Sequence, residues 1–310
     1  MQGLFLDADE EMAAVFERVR LPDDPPIALN RQARVAPESL PKLLGGYDFV
    51  LDDHTALPTE AMRACPKLRH VVFLGTGAAS YMHPDELAAL GITVHTIKGY
   101  GDTAVAEQAI ALMWAAARGL SRMDRGIRAG AWPRTLGVQI RGKTLGLIGF
   151  GGIGAEVARI AAGIGMRVLA WNRSPRSAPG VRFVELDTLL AESHVVSLHL
   201  LLSEATRGFL DAGRIGRLRP GVILVNTARG ALVDEAAMIL ALREGRIGHA
   251  ALDVFAQEPL PQNHPLVALD NVTLSAHCGF YTPEANESLL RRALDIAKGI
   301  AGTARNSAAE

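Results

Sequence analysis

Three charged side chains late in the chain, Arg229, Glu258 and His277, are of the types needed to hold an anion and move a proton. They follow a glycine-rich turn, Gly149-Phe150-Gly151-Gly152-Ile153-Gly154, of the kind that cradles a diphosphate. A guanidinium, a carboxylate and an imidazole beside a dinucleotide can bind an acid and exchange a proton while a nicotinamide exchanges a hydride. The combination points to an oxidoreductase acting on a small acid. Read alone, each of the three is a satisfied structural polar group; their order behind a nucleotide turn gives them a function.

A Gly-x-Gly-x-x-Gly pattern is weak in a chain with 31 glycines. Its setting strengthens it, because the apolar run Leu145-Gly146-Leu147-Ile148 leads straight into the turn and an alanine-rich helical segment follows. The glycines at 149, 151 and 154 suit a tight turn, close backbone approach to a diphosphate, and close packing of helix on strand. The helix start, with Gly152 and Ile153, offers free N–H groups and a partial positive charge. After the second strand, a carboxylate would bond the adenosine ribose of NAD and repel the 2′-phosphate of NADP. Trp171-Asn172-Arg173-Ser174 stands there instead: Asn172 removes the repulsion, Arg173 can pair with a phosphate and Ser174 can donate to it. The expected cofactor is therefore NADP in preference to NAD, against the plainer reading of Arg173 as a solvated surface arginine.

The elements needed to position these groups are legible as short apolar runs alternating with amphipathic stretches, the pattern of βα units and parallel sheets. In the first third, strands are expected at 27–29, 49–51, 71–74 and 92–95, with helices at 38–44, 59–64 and 84–90. An apolar helix is expected over 103–119, capped by Asp102 or Thr103 and packed on several sides. A polar-faced segment, 121–130, ends at Trp132-Pro133. A second α/β run follows, with strands at 145–148, 167–171, 182–184, 195–198, 222–225, 250–254 and 272–275 and helices at 153–163 and 234–243 among the gaps. A last helix runs from Pro283 to about Ile300, and the small polar residues 303–310 are expected to fray.

The 310 residues, 49% hydrophobic and 21% charged with net charge −1, suit two domains. No basic surplus exists to bind nucleic acid. No run approaches a membrane span, no secretory signal stands at the N-terminus, and two distant cysteines, Cys65 and Cys278, make no disulfide framework, so a cytoplasmic protein is expected. No His or Cys cluster has metal-ligand spacing, and no metal is expected.

The chain resembles the D-isomer-specific 2-hydroxyacid dehydrogenases over most of its length. The resemblance rests on Gly142-Lys143-Thr144-Leu145-Gly146-Leu147-Ile148-Gly149-Phe150-Gly151, Asn226-Thr227-Ala228-Arg229-Gly230, Leu252-Asp253-Val254-Phe255, Glu258-Pro259-Leu260-Pro261 and Ala276-His277, in that order. It implies an α/β protein of two domains. One is a doubly wound Rossmann domain over 101–283. The other is a smaller, flavodoxin-like substrate domain, discontinuous over 1–100 and 284–310. It also implies a homodimer built through the Rossmann part. Arg229 would hold the substrate carboxylate and polarise its carbonyl, His277 would give or take the proton, and Glu258 would fix the imidazole. Asp253 matches the residue that binds the nicotinamide amide, Thr227 and Ala228 lie against the same ring, and His199 and Thr206 fall in the segment lining the cofactor cleft. His199 reads equally well as a buried strand histidine. The Gly75-Thr76-Gly77 turn matches the loop that offers N–H groups to the substrate carboxylate, though a glycine turn after a strand can be only a turn.

Two positions depart from the family pattern: Ala79 replaces the usual Asp of the first-domain loop, and Leu200-Leu201-Leu202 lacks the usual Pro after the strand histidine. Glu258 in place of Gln argues against a formate-oxidising enzyme, and Thr76 in place of Lys against a phosphite-oxidising one. The expected reaction is interconversion of a small 2-keto acid and its D-2-hydroxy acid, as NADPH-linked reduction of glyoxylate, hydroxypyruvate or a bulkier analogue. The alternative is an NAD-linked dehydrogenase of a phosphorylated acid of phosphoglycerate or erythronate type, for which Arg31, Arg34 and Lys98 would supply basic groups. A corepressor-like nucleotide sensor is a third reading, opposed by the lack of long flanking segments. Cys278 reads as a small packing residue rather than a reactive thiol. Trp132 reads as packing within the chain or reaching across a dimer.

Overall fold

The computed structural model describes residues Met1–Ser307. The chain forms two compact units, one from Met1–Gly101 with the segment starting at Tyr281, the other from Asp102–Phe280.

The first unit is a five-stranded parallel sheet of β1 (Gly3–Phe5), β2 (Ile27–Leu29), β3 (Phe49–Asp52), β4 (His70–Phe73) and β5 (Thr93–Thr96), in the order β2-β1-β3-β4-β5. Helix α1 (Glu10–Val19) starts where the Asp9 side chain accepts from the Met12 N–H at 2.8 Å, with Glu10 and Glu11 favourably placed in its first turn. The short helices α2 (Leu40–Leu44), α3 (Thr59–Arg63) and α4 (Pro84–Ala89) complete the crossovers. One face of the sheet is covered by α1 and by the C-terminal helix Pro283–Ser307. That helix buries Ala285, Leu289, Leu290, Ala293, Leu294 and Ala297 at helical spacing. Arg291 ties it to Asp24 by two hydrogen bonds of 2.8 and 2.7 Å. The opposite face is packed by Leu40, Leu44, Leu57, Met62 and Leu87.

The second unit is a seven-stranded parallel sheet of β6 (Thr144–Ile148), β7 (Arg167–Trp171), β8 (Val181–Phe183), β9 (Val195–Leu198), β10 (Val222–Asn226), β11 (Ile247–Leu252) and β12 (Val272–Leu274). Their order, β12-β11-β10-β9-β6-β7-β8, is doubly wound about β6 and β9, the Rossmann arrangement. Helices α5 (Asp102–Arg118), α6 (Leu120–Arg128), α7 (Gly152–Gly163), α8 (Leu186–Glu192), α9 (Ala212–Arg217) and α10 (Glu235–Arg243) cover it. Buried residues from α5 and α7 pack one face, and Leu189, Leu190, Met238 and Leu242 pack the other. Two buried faces explain why its central strands read as unbroken apolar runs.

Three local expectations need correction. Strand β1 and helix α1 were not expected: three residues are too few for a periodic signal, and the helix-start pattern of Asp9 followed by Glu10 and Glu11 went unread. The expected frayed tail is helical through Ser307; its remaining residues, 308–310, lie outside the described residues. Asp102 is the first residue of α5 itself, and its carboxylate sits against α7: a methyl group on Gly152 would meet Asp102 Oδ2 at 1.8 Å.

Candidate active site

The phosphate-type turn forms where β6 meets α7. Gly149 has φ 97°, and a side chain there would strike the His199 carbonyl at 2.5 Å, so only glycine fits. Gly151 caps α7, and the space where its side chain would stand is open to 4 Å. Gly152, Ile153 and Gly154 form the first turn of α7, whose N–H groups have no partner inside the helix. These residues fit the diphosphate of a dinucleotide.

Asn172, one residue past β7, accepts from the Phe150 N–H at 3.2 Å and donates to the Ser174 carbonyl at 2.9 Å and hydroxyl at 3.3 Å. It therefore ties the glycine turn to the segment that follows β7. Arg173 is exposed and holds no ion pair among the described residues. Arg176, three residues on and equally free of ion pairs, was not singled out in the sequence; its nearness to Arg173 was the available signal.

His199, just past β9, is held by a 2.9 Å bond between its Nε2 and Ser197 Oγ, and burial pushes its pKa down to about 4. The ring is neutral at ordinary pH. The Thr206 hydroxyl accepts from the Ser203 N–H at 2.8 Å and donates to the Leu201 carbonyl at 2.7 Å, closing the loop that contains Leu200-Leu201-Leu202.

The end of β10 places Arg229. Asn226, buried and also not singled out, accepts from the Ala228 N–H at 3.0 Å and donates to the Arg229 carbonyl at 2.9 Å. Arg229 donates to the Ala228 carbonyl at 2.6 Å. The Thr227 hydroxyl is buried with no hydrogen-bond partner. Gly230 allows this loop to press on the next one, since a methyl group there would lie 2.0 Å from the Phe255 carbonyl carbon.

That next loop carries Glu258. Its Oε1 accepts from the Phe255 N–H at 2.9 Å, and its Oε2 lies 2.6 Å from His277 Nδ1. Burial pushes the Glu258 carboxyl up, but the hydrogen bonds from His277 and Phe255 and the charges of His277 and Arg229 outweigh it, and the group is held below its ordinary value. It is ionised at neutral pH and faces the imidazole as a carboxylate.

His277 has φ 53°, the one left-handed non-glycine backbone among the described residues. Asp253, buried at the end of β11, sustains it. Its carbonyl accepts from the His277 N–H at 2.7 Å. Its Oδ1 accepts from the Ser275 hydroxyl at 2.5 Å and the Cys278 N–H at 3.2 Å, and its Oδ2 from the Gly279 N–H at 2.8 Å. The described partners of the Asp253 carboxylate, the group expected to meet a nicotinamide amide, thus lie in the histidine loop. Gln108 of α5 adds a 3.1 Å bond to Ser275.

Cys278 is exposed, not packed as expected; burial of its sulfur and the Asp253 carboxylate raise its pKa, which disfavours the reactive thiolate. Trp132 is 80% exposed, which excludes one of its two expected readings, packing within the chain, and does not bear on the other, a reach across a dimer.

In the first unit, Gly75-Thr76-Gly77 follows β4 at the carboxyl edge of the sheet, with Gly75 buried and Thr76 exposed. Ala79 lies in the short turn of helix behind it. The same edge is acidic. Asp7, after β1, accepts from the N–H groups of Asp53, His54 and Thr55 and from the Thr55 hydroxyl, all within 2.8–2.9 Å. Asp52 is wholly buried and neither carboxylate oxygen has a hydrogen-bond partner, so burial, with Asp7 and Asp53 nearby, raises its pKa well above the usual range. Arg31, Arg34 and Lys98 are exposed.

Comparison with known proteins agrees with this arrangement. The family described as D-isomer specific 2-hydroxyacid dehydrogenase, NAD binding domain, matches residues 110–279. A glyoxylate reductase of Aeropyrum pernix is 38% identical over 259 residues, 79% of this chain and 76% of the relative. A D-3-phosphoglycerate dehydrogenase of Archaeoglobus fulgidus is 37% identical over 243 residues, 76% of this chain but 46% of the relative, so the chain spans about half the length of that protein. The crystal structure of a glyoxylate reductase from Paecilomyes thermophila superposes with a TM-score of 0.82 at 30% identity, covering 95% of this chain and 93% of that one. The chain belongs to the D-isomer specific 2-hydroxyacid dehydrogenase family and is an oxidoreductase of that type. Its cofactor is a nicotinamide dinucleotide.

Proposed function

We propose that this protein reduces small, unphosphorylated 2-keto acids such as glyoxylate or hydroxypyruvate to D-2-hydroxy acids, with NADPH as the preferred cofactor. The observation that carries the reading is the 2.6 Å contact between His277 and Glu258, with the charge of Arg229 acting on the same carboxylate. When bound in the glycine turn, the cofactor supplies the hydride. Arg229 pairs with the substrate carboxylate and polarises the carbonyl. His277 gives its Nε2 proton to the carbonyl oxygen, and Glu258, ionised and bonded to Nδ1, holds the ring in the orientation that can do so. Thr227, Ala228, His199 and Thr206 are assigned to the wall of the nicotinamide cleft, and Asp253 both to that wall and to the support of His277. The N–H groups of Thr76 and Gly77, at a strand's carboxyl edge, are what a carboxylate needs, while the Gly75 N–H is already spent on the Phe73 carbonyl at 2.9 Å.

Preference for NADPH follows from Asn172, which puts no negative charge after β7, and from Arg173 and Arg176, which are free to meet a phosphate. The phosphorylated-substrate alternative is disfavoured because residues 71–82, around the Gly75-Thr76-Gly77 turn, contain no Lys or Arg. A homodimer and a cytoplasmic location complete the proposal, the first from the exposed apolar side chains of α6 and the loop after it, the second from two cysteines that are both free. The test is turnover of glyoxylate, hydroxypyruvate and 3-phosphohydroxypyruvate with NADPH and with NADH. Fastest turnover with a phosphorylated acid, or a clear preference for NADH, would refute the corresponding part.

A further inference from the structure

The carboxyl edge of the seven-stranded sheet carries the groups described above. A different set gathers at the opposite edge, where the strands begin. There an open cavity of about 450 Å³ is walled by Ala116, Ala117, Val138, Ile140, Val195 and Ile223, and by Leu136, a residue of the apolar surface assigned above to the dimer contact. Its size is that of a site for a small organic molecule. Arg122, Lys143, His194 and Arg219 also line it, against a single carboxylate, Asp270. That carboxylate is shared by Arg122 at 3.8 Å and Arg125 at 3.7 Å. Lys143 and Arg219 have no ion pair among the described residues.

His194 fixes the polarity of the site. Its Nδ1 accepts from the Thr144 N–H at 3.2 Å, so the ring proton is on Nε2. Burial and the charges of Arg219, Lys143 and Arg167 lower its pKa, keeping the ring neutral with Nε2–H as a donor. An ammonium, a guanidinium and an N–H thus act around one imidazole, beside an apolar wall, with little negative charge to answer them.

We propose that this cavity is a second ligand site, for a small organic anion of the carboxylate or phosphate-ester class with an apolar body, held by Lys143, Arg219 and His194. The charged end meets the donors and the body lies against Val138, Ile140, Val195 and Ile223. The site is built wholly from the Rossmann unit and stands apart from the glycine turn and from Arg229, Glu258 and His277. It holds whichever keto acid the enzyme reduces.

The probe is phenyl phosphate, with inorganic phosphate and neutral benzyl alcohol beside it, titrated calorimetrically into full-length protein saturated with NADPH. The expected order is phenyl phosphate tightest, inorganic phosphate weaker and benzyl alcohol weakest. Lys143→Ala and Arg219→Ala should each weaken phenyl phosphate roughly tenfold, the worth of one hydrogen bond to a charged group. Both variants should keep the wild-type kcat/KM for glyoxylate. Arg229→Gln should leave phenyl phosphate binding intact. The proposal is overturned by binding that survives both cavity substitutions, by binding lost in Arg229→Gln, or by no binding at all. It is also overturned if benzyl alcohol binds as tightly as phenyl phosphate. If the variants change the oligomeric state and the wild type binds no phenyl phosphate, these cations serve contact between copies of the chain, and the ligand site is likewise excluded.

Discussion

Glu258 Oε2 lies 2.6 Å from His277 Nδ1, and the other oxygen of that carboxylate is fixed by the Phe255 N–H. The imidazole is therefore oriented from its Nδ1 side by an anion that cannot turn away, leaving Nε2 for substrate. Replacing Glu258 by Gln keeps the shape and removes the charge. Keto acid reduction then loses the anion that holds the imidazole at Nδ1, and kcat falls by roughly tenfold or more. His277→Ala lowers kcat by roughly 10²–10⁴-fold, the usual worth of a general acid, while NADPH still binds. Steady-state rates across pH, with fluorescence titration of NADPH, check both outcomes. An unchanged kcat in Glu258→Gln would remove the role of the carboxylate.

The proposed preference for NADPH rests first on Asn172. An Asp at this position retains an oxygen for the Phe150 N–H but loses the donation to Ser174 and brings a charge to the end of β7. Asn172→Asp should raise the KM for NADPH by roughly tenfold and favour NADH, and Arg173→Ala with Arg176→Ala should raise the KM for NADPH alone. Equal changes for both cofactors would mean that these side chains support the fold of the loop and do not read the 2′-phosphate.

Asp52 sets a pH dependence of stability. Its pKa is raised in the folded protein, so folding favours the protonated carboxyl. The associated stability is complete below the unfolded value, about 3.9, and is lost as pH rises toward the folded value. Asp52→Asn removes that loss. Its melting temperature should exceed that of the wild type at pH 8 and approach it near pH 4, with a gain at the upper end of about 1–3 kcal/mol. Thermal unfolding over this range decides it, and a variant less stable at pH 8 would show that the carboxyl finds partners.

Trp132 is 80% exposed, and Leu120, Ile127 and Leu136 are exposed around it in sequence. Large apolar groups so displayed mark a surface made to be covered. Trp132→Glu should shift the protein from dimer to monomer in light scattering, with Leu136→Glu acting in the same direction. A wild type that is monomeric at all concentrations would remove this reading.

Much of this could be read before the fold was known, because buried parallel strands such as Val195–Leu198 and Val222–Asn226 are written as apolar runs and the groups at their ends follow within a few residues. Arg229, Glu258 and the glycine turn were legible for that reason. What escaped depends on the path of the chain in space. The left-handed backbone of His277 arises from bonds that Asp253 makes across strands, and no local pattern encodes it. Strand β1 is three residues long, and α1 shows only a short apolar face of Met12, Ala13, Val15 and Phe16, although Asp9, Glu10 and Glu11 offered a helix-start signal. Trp132 was expected to pack within the chain or to reach across a dimer, and Cys278 to pack; Trp132 is 80% exposed, and Cys278 is exposed although its sulfur lies near Gln108 and Asp253. The cavity lined by Arg122, Lys143, His194 and Arg219 draws on four separate segments and has no signature in any of them.

The sheet that begins at Gly3 takes part of its cover from Leu289, Leu290, Ala293 and Leu294. During synthesis, those side chains leave the ribosome only after every strand of the second unit. The middle of the protein can settle while its beginning still waits, an inversion of the usual order in which the earliest-made domain folds first. A nascent chain halted near residue 280 should protect its interior from protease while its opening hundred residues are still cut.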